Sequence, residues 1–100
     1  MVKLTVLYGQ PTSATAFEKY YAETHLPIAS KIQGVRRIEL SKVMSAADGG
    51  APAFYRLADL YFDDVAQMQR VMSTPEGKAT VDDLANFATG GVTTLVSQIS

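Results

Sequence analysis

The sequence predicts an α+β fold in which a four-stranded antiparallel sheet has its helices on one face. Four segments have the length and composition of strands, and the first two of them alternate between apolar and polar residues. Two longer segments instead repeat apolar residues at the helical period of about 3.6. The segments follow one another in the order β, α, β, β, α, β, which is the order of a ferredoxin-like plait. The 100 residues are predicted to form one domain, residues 1–100.

The first strand and the first helix are predicted from the opening residues. Residues 2–9 alternate in polarity and therefore indicate a strand. Ser13 or Thr15 is expected to cap the helix that follows, since Thr15 and Glu18 have the spacing of a capping box. The predicted inward face of this helix consists of Phe17, Tyr20, Tyr21 and Thr24.

Pro27 is expected to end the first helix. Proline disfavours the helical conformation at the residue before it, so the helix should stop within about one residue of His25. The imidazole would then lie near a helix C-terminus, with a bend ahead of it. Residues 27–34 predict a short second helical turn, because a proline stands just inside its start and Gly34 just past its end.

The middle of the chain predicts two consecutive strands. The second strand follows Gly34, and its predicted inward face consists of Ile38, Leu40 and Met44. Residues 46–52 are small and rich in glycine, so they predict a loop. The third strand, Phe54–Phe62, is apolar on both faces and is expected to need cover on both sides.

Two further helical segments are predicted after the third strand. Asp63 or Asp64 is expected to cap the first of them, whose inward stripe is Val65, Met68 and Met72. A helix is predicted to restart at Thr74 and Pro75, with an inner face of Val81, Leu84 and Ala85.

The last strand is predicted over Val92–Ile99, after a loop at residues 86–91. Gly90 and Gly91 interrupt a segment that otherwise favours β structure. This predicts a positive φ angle, or a close approach of two backbone segments, at one of the two glycines.

One face of the predicted sheet has no helices, and this face predicts a homodimer. Apolar residues of the outer strands must lie on it, either Leu7, Leu95 and Ile99 or the neighbours Val92 and Val96. An apolar face of several hundred Å² rarely stays exposed on a monomer. The simplest cover is a second copy of the chain, packed sheet face against sheet face.

Composition and charge exclude several classes of function. A net charge of −1 leaves no broad basic surface, so nucleic-acid binding is not expected. The chain has no cysteine and one histidine, so no metal site is expected. It also lacks an apolar run that would serve as a signal peptide or a membrane span. A cytoplasmic protein without a membrane partner is the expectation.

Several stretches of the chain resemble a known protein family. They include YYAETHLP at residues 20–27, STPEG at residues 73–77 and NFATGGVT at residues 86–93. Together they are similar to the EthD-like family, named for ethyl tert-butyl ether degradation, within the dimeric α/β-barrel superfamily. The resemblance runs from Leu4 to about Gln98. It implies a ferredoxin-like plait whose sheets pair in a homodimeric barrel.

The resemblance also implies a range of functions. The founding members accompany a cytochrome P450 system that opens an ether. Similar small barrels include lactone isomerases, polyketide cyclases and decarboxylases, cofactor-free monooxygenases and some haem proteins. The histidine of the HLP motif is the residue most often proposed as functional in this group, and it corresponds to His25.

His25 is accordingly the predicted acid–base residue, with an ordinary pKa of ~6.5. Tyr8 and Tyr21 are the predicted catalytic partners, because a phenol can donate to a developing oxyanion. The residues predicted to contact the substrate are Tyr20, Asn86 and Phe87. The structural alternatives are that His25 binds carbonyl groups at the helix end and that the tyrosines are core aromatics.

The sequence therefore predicts a cofactor-free enzyme of isomerase, cyclase, decarboxylase or monooxygenase type. Its substrate is expected to be a small, mostly apolar oxygenated compound of catabolism or secondary metabolism. The alternative is a non-catalytic accessory or carrier protein of an oxygenase pathway, such as ether degradation. Haem ligation by His25 is the remaining cofactor alternative.

Overall fold

The computed structural model describes residues 1–100 and has the predicted ferredoxin-like fold. The elements are β1 (Val2–Gly9), α1 (Ala14–Tyr20), a π-helical turn (Tyr21–His25), α2 (Leu26–Ala29), β2 (Arg37–Lys42), β3 (Phe54–Phe62), α3 (Val65–Met72), α4 (Pro75–Asp83), a 3₁₀ turn (Leu84–Asn86) and β4 (Val92–Gln98). None of the helices has the length and the apolar character needed to cross a lipid bilayer.

The sheet aligns side chains from its four strands in rows. Its strand order is β2-β3-β1-β4, and neighbouring strands are antiparallel. Two rows on the helix-covered face are Leu40, Ala58, Val6 and Thr94, and Ile38, Leu60, Leu4 and Val96. In the next row Tyr8 lies beside Arg56. The core fills the space between this face and the helices, and its aromatic members are Tyr8, Phe17, Tyr21, Phe62 and Phe87.

The first helix does not end at His25 as predicted. It is capped by Ser13, not by Thr15, because the Ser13 hydroxyl accepts a hydrogen bond from the first turn. The chain stays helical through the π-helical turn and into α2, and Leu26 has helical angles (φ −61°, ψ −39°). Pro27 directly follows the π-helical turn and lies in the first turn of α2, a position that tolerates proline.

Helix α4 is rotated relative to the prediction. Its buried residues are Gly77, Thr80 and Asp83. Of the predicted inner face, Leu84 packs against the core from the 3₁₀ turn, whereas Val81 and Ala85 are exposed. A Cβ atom at Gly77 would lie 2.7 Å from the Cα atom of Met72, so this glycine lets α4 pack directly on the end of α3. The close packing turns the side of the helix that carries Thr80 and Asp83 inward.

Smaller predictions can be compared in the same way. Val65 was predicted to face inward but is exposed, and Val71 is the buried residue of α3. Met44 lies beyond the end of β2 and is almost fully exposed. The predicted bounds of the third strand, Phe54–Phe62, are confirmed, and Asp64 is the cap of α3.

The open face of the sheet is less apolar than predicted. The register places Leu7, Leu57 and Leu95 on this face and the valines of β4 on the opposite face. Asp59 lies on the same face, where it accepts a hydrogen bond from Thr5 and is 3.9 Å from Nζ of Lys3. The open face therefore combines an apolar patch with a polar network.

The glycine pair before β4 shapes the backbone as predicted. Gly91 has a φ angle of +86°, which favours glycine. A Cβ atom at Gly90 would lie 2.3 Å from the carbonyl oxygen of Gln10, so two backbone segments are in direct contact there. Both forms of the prediction are confirmed, one at each glycine.

Candidate functional site

His25 is buried at the end of the π-helical turn, and its side chain has a single fixed orientation. Only 4% of the residue is exposed. Its Nδ1 atom lies 2.9 Å from Oδ2 of Asp83 in α4. The imidazole ring packs on Tyr21 and Phe87, with ring centroids 5.8 Å and 4.6 Å away. These contacts fix both the position and the tilt of the ring.

Asp83 accepts hydrogen bonds from three side chains. The Tyr20 hydroxyl and Nδ2 of Asn86 donate to its Oδ1 atom at 2.6 Å and 2.9 Å, and His25 occupies Oδ2. Burial by itself would raise the pKa of Asp83, but the hydrogen bonds outweigh it and lower the pKa below its ordinary value. Asp83 is therefore an anion at neutral pH, and we assign the proton of the neutral imidazole to Nδ1.

This assignment leaves Nε2 of His25 with a free lone pair. The atom has no hydrogen-bond partner within the chain, and His25 lines the main cavity of the molecule. A neutral imidazole that donates from Nδ1 accepts at Nε2. The ring can therefore take a proton from a molecule bound in the cavity.

Three local features bring these groups together. The π-helical turn closes with a hydrogen bond from the N–H of Leu26 to the carbonyl of Tyr21, and such turns are frequent at functional sites. The contact at Gly77 brings α4 close enough for its Asp83 to reach His25. The 3₁₀ turn that follows α4 supplies Asn86 to the same carboxylate.

The main cavity lies between the helices and the helix-covered face of the sheet. Its volume is about 310 Å³, and 13 of its 17 lining residues are hydrophobic. The two rows of sheet residues described above supply most of the floor. No three carboxylate, imidazole or thiol side chains come together in the structure as a metal ion would require.

Tyr8 and Tyr21 line the cavity together with His25. Their rings meet edge to face with centroids 5.7 Å apart. The Tyr21 hydroxyl is buried and has no hydrogen-bond partner. Burial raises the pKa of both phenols, so both stay protonated at neutral pH and can donate hydrogen bonds.

The other sequence-predicted site residues lie behind His25 instead of lining the main cavity. Tyr20 and Asn86 donate to Asp83, and Phe87 packs on the imidazole ring. All three also line a smaller hollow of about 180 Å³. The structure thus places Tyr8 and Tyr21 in the lining of the main cavity with His25, whereas the other three do not line it.

Asp83 is the residue that sequence reasoning missed. It follows His25 by 58 positions, so no local motif connects the two. Adjacent carboxylates such as Asp82 and Asp83 diverge on a helix, and the sequence does not say which of them faces inward. The small residue Gly77 on the same side of α4 is the one signal that could have identified the inward face.

The chain is similar to known proteins. Residues 9–91 match the model of the EthD domain. A Rhodococcus erythropolis protein, described as an uncharacterized 11.0 kDa protein in the thcB–thcC intergenic region, is 39% identical over 95 residues, which are 95% of this chain and 91% of that protein.

Two solved structures are also similar. An ethyl tert-butyl ether degradation (EthD) family protein of Bacillus halodurans C-125 is 35% identical with a TM-score of 0.93, over 100% of this chain and 99% of that one. A dimeric protein of unknown function and ferredoxin-like fold from Bacteroides fragilis NCTC 9343 is 16% identical with a TM-score of 0.70, over 98% of this chain and 95% of that one. The second similarity concerns the fold alone.

Proposed function

Because the chain belongs to the EthD family, we propose that it is a small enzyme that moves a proton on an oxygenated organic compound, with His25 as the acid–base residue and no cofactor. The observation that carries this proposal is the hydrogen bond between Nδ1 of His25 and Asp83, which leaves Nε2 free beside an apolar cavity. A histidine that served only to fix a helix end would not need a buried carboxylate behind it and a cavity in front.

The proposed step is removal of a proton from a carbon next to a carbonyl group. Nε2 of His25 takes the proton, the electron pair of the C–H bond becomes the double bond of an enolate, and the carbonyl oxygen takes the negative charge. Asp83 stabilises the imidazolium that forms, because its carboxylate accepts from Nδ1. The Nε2–H group then returns the proton to the same carbon or to another one.

Tyr8 and Tyr21 are the proposed donors to the enolate oxygen. Both phenols are protonated at neutral pH, and neither hydroxyl is engaged by another side chain. A hydrogen bond from such a donor is stronger to an oxyanion than to a carbonyl, so it favours the enolate. Isomerisation, cyclisation and decarboxylation can all pass through an enolate of this kind.

We also propose that the working form is a homodimer joined through the open faces of the two sheets. The apolar patch of Leu7, Leu57 and Leu95 lies on that face. The dimer is expected to bury at least ~1,200 Å² in total. The Bacteroides fragilis protein of the same fold is described as dimeric.

Deuterium exchange on a simple ketone tests the proposed chemistry without knowledge of the natural substrate. The protein is incubated with 2-tetralone, an enolisable bicyclic ketone, in deuterated buffer, and proton NMR follows the loss of the α-hydrogen signals. We expect the wild type to accelerate exchange over buffer. His25→Gln keeps one hydrogen bond but cannot shuttle a proton near neutral pH, so it should lose ~10²-fold or more of the acceleration.

His25→Gln must remain folded for this comparison to hold, and circular dichroism and the melting temperature check that. Exchange that is equally fast in the wild type and the variant would contradict the proposal. A wild-type protein that binds the ketone without any acceleration would instead support the accessory or carrier role.

A further inference from the structure

We infer that the cavity takes a neutral carbonyl compound, oriented with its carbonyl group toward His25 and its apolar body along the sheet, and that it rejects ionised acids. This inference rests on the proposed function and specifies the class of substrate. It follows from the polar groups of the cavity, from the charges around it and from its shape.

The cavity offers a ligand very few polar atoms. Six of its lining residues can hydrogen-bond through their side chains, namely Tyr8, Tyr21, His25, Ser30, Thr80 and Thr94. Two of these hydroxyls already donate to helix carbonyls, Ser30 to Pro27 and Thr80 to Glu76. A ligand with many polar groups would therefore leave most of them unpaired in an apolar site, which costs binding free energy.

No lining residue carries a positive charge. The nearest candidate is Arg56, whose guanidinium lies 5.0 Å from the centre of the Tyr21 ring. Arg56 is held by Glu18 through two hydrogen bonds of 2.8 Å and 2.7 Å, and Lys42 lies 3.4 Å from the same carboxylate. Neither cation lines the cavity, because both side chains are bound to Glu18 outside it.

The only charge directly behind the site is the carboxylate of Asp83, which contacts His25. A ligand carboxylate placed at Nε2 of His25 could pair only with a protonated imidazole, whose single positive charge the carboxylate of Asp83 already balances. Loss of its hydration in an apolar cavity would also remain uncompensated. A ketone has neither cost, because its carbonyl oxygen needs only the phenol donors.

The shape of the cavity sets the direction in which the ligand lies. His25, Tyr8 and Tyr21 form a cluster of contacting rings at one end. Three of the exposed lining residues are apolar, with Ile38 and Leu40 44% exposed and Val81 50% exposed. The apolar body of a ligand can therefore extend toward this rim, while the reactive end is enclosed.

Ala58 is the residue that makes room for the ligand. It lies in the floor between Leu40 and Val6, on the two strands that flank it. A leucine at this position would fill part of the cavity. Ala79 on the exposed side of α4 does not line the cavity, so the same substitution there is a matched control.

The test compares 2-tetralone with tetrahydro-2-naphthoate, a carboxylate with a similar bicyclic body, by NMR titration of the nitrogen-15-labelled protein. We expect 2-tetralone to bind at least about 100-fold more tightly than the carboxylate at neutral pH. Ala58→Leu should weaken ketone binding at least about tenfold, and Ala79→Leu should leave it unchanged. Thr94→Leu, at the exposed edge of the floor, replaces Ala58→Leu if that variant does not fold.

A carboxylate that binds within about tenfold of the ketone would overturn the inference, as would ketone binding that neither cavity variant weakens. Absence of detectable ketone binding would overturn it too. If the proposed chemistry is wrong but this inference is right, the ketone should bind with the expected selectivity and should not exchange its α-hydrogens.

Discussion

At the scale of single residues, the account depends on two side chains that are 58 positions apart in the chain. His25 was identifiable from the sequence because it is the only histidine and stands in the HLP motif. Asp83 was not, because its importance depends on which side of α4 packs inward, and that is decided by the contact at Gly77. Periodicity favoured the apolar residues Val81 and Leu84 for the inner face, whereas the structure buries a carboxylate that three donors satisfy.

Asp83→Asn tests whether this carboxylate positions and supports the imidazole. We expect the exchange of 2-tetralone to slow by ~10-fold or more, because a carboxamide stabilises the imidazolium less than a carboxylate does. Asp82→Asn, at the adjacent exposed position, should leave the rate unchanged. An Asp83→Asn variant that loses stability but keeps the wild-type exchange rate would assign Asp83 a structural role only.

The lowered pKa of Asp83 also predicts a pH dependence of stability. A carboxyl whose pKa is lower in the folded than in the unfolded chain binds fewer protons when folded, so its contribution is complete above the unfolded pKa of ~3.9 and is lost as the pH falls through the folded pKa. We therefore expect the difference in unfolding free energy between wild type and Asp83→Asn to decline as the pH falls below about 4. Urea denaturation between about pH 5 and about pH 2 measures it. A difference that does not decline over this range would contradict the assignment.

At the scale of secondary-structure elements, the sequence predicted the strands better than the helix ends. The bounds of Phe54–Phe62 were predicted correctly from a short apolar run between a loop rich in glycine and a pair of aspartates. The end of the first helix depends instead on how Pro27 is accommodated. The hydrogen bonding changes from α to π before Leu26, and Pro27 then lies in the first turn of α2. The conformational preferences of single residues do not predict such a change.

The contact between the two loops at Gly90 gives a prediction at this scale. A Cβ atom there would lie 2.3 Å from a backbone oxygen of Gln10, so Gly90→Ala should cost ~1 kcal/mol or more of unfolding free energy. Gly50→Ala is the control, since its Cβ atom would meet only the side chain of Asp48. Equal stability of the two variants in thermal or urea unfolding would show that the loops separate without cost.

At the scale of the whole molecule, the order of elements was enough to predict the fold. Of the two sets of apolar residues considered for the open sheet face, the register confirms the one with Leu7 and Leu95, and the valines of β4 lie on the opposite face. The polar residues Lys3, Thr5 and Asp59, which share the open face with the leucines, were not predicted.

The proposed dimer makes a prediction at the same scale. Leu7 lies beside Leu57 on the open face, so Leu7→Glu should place two unpaired carboxylates in the dimer interface and yield a folded monomer. Met44→Glu, at an exposed position outside the sheet, should remain dimeric. Sedimentation equilibrium at micromolar concentration distinguishes the two states. A wild-type protein that sediments as a monomer of 10.8 kDa would exclude the dimer.

The central claim is that Asp83 holds the proton of the neutral imidazole on Nδ1 and leaves Nε2 free to act as a base. The chain has one histidine, so a long-range proton–nitrogen NMR spectrum of the labelled protein contains a single imidazole pattern that needs no assignment. Recorded at a pH where the ring is neutral, it should show a protonated Nδ1 and an unprotonated Nε2, and Asp83→Asn should reduce this preference. A wild-type spectrum with the proton on Nε2 would contradict the account, because the atom facing the cavity would then be a donor and could not take a proton.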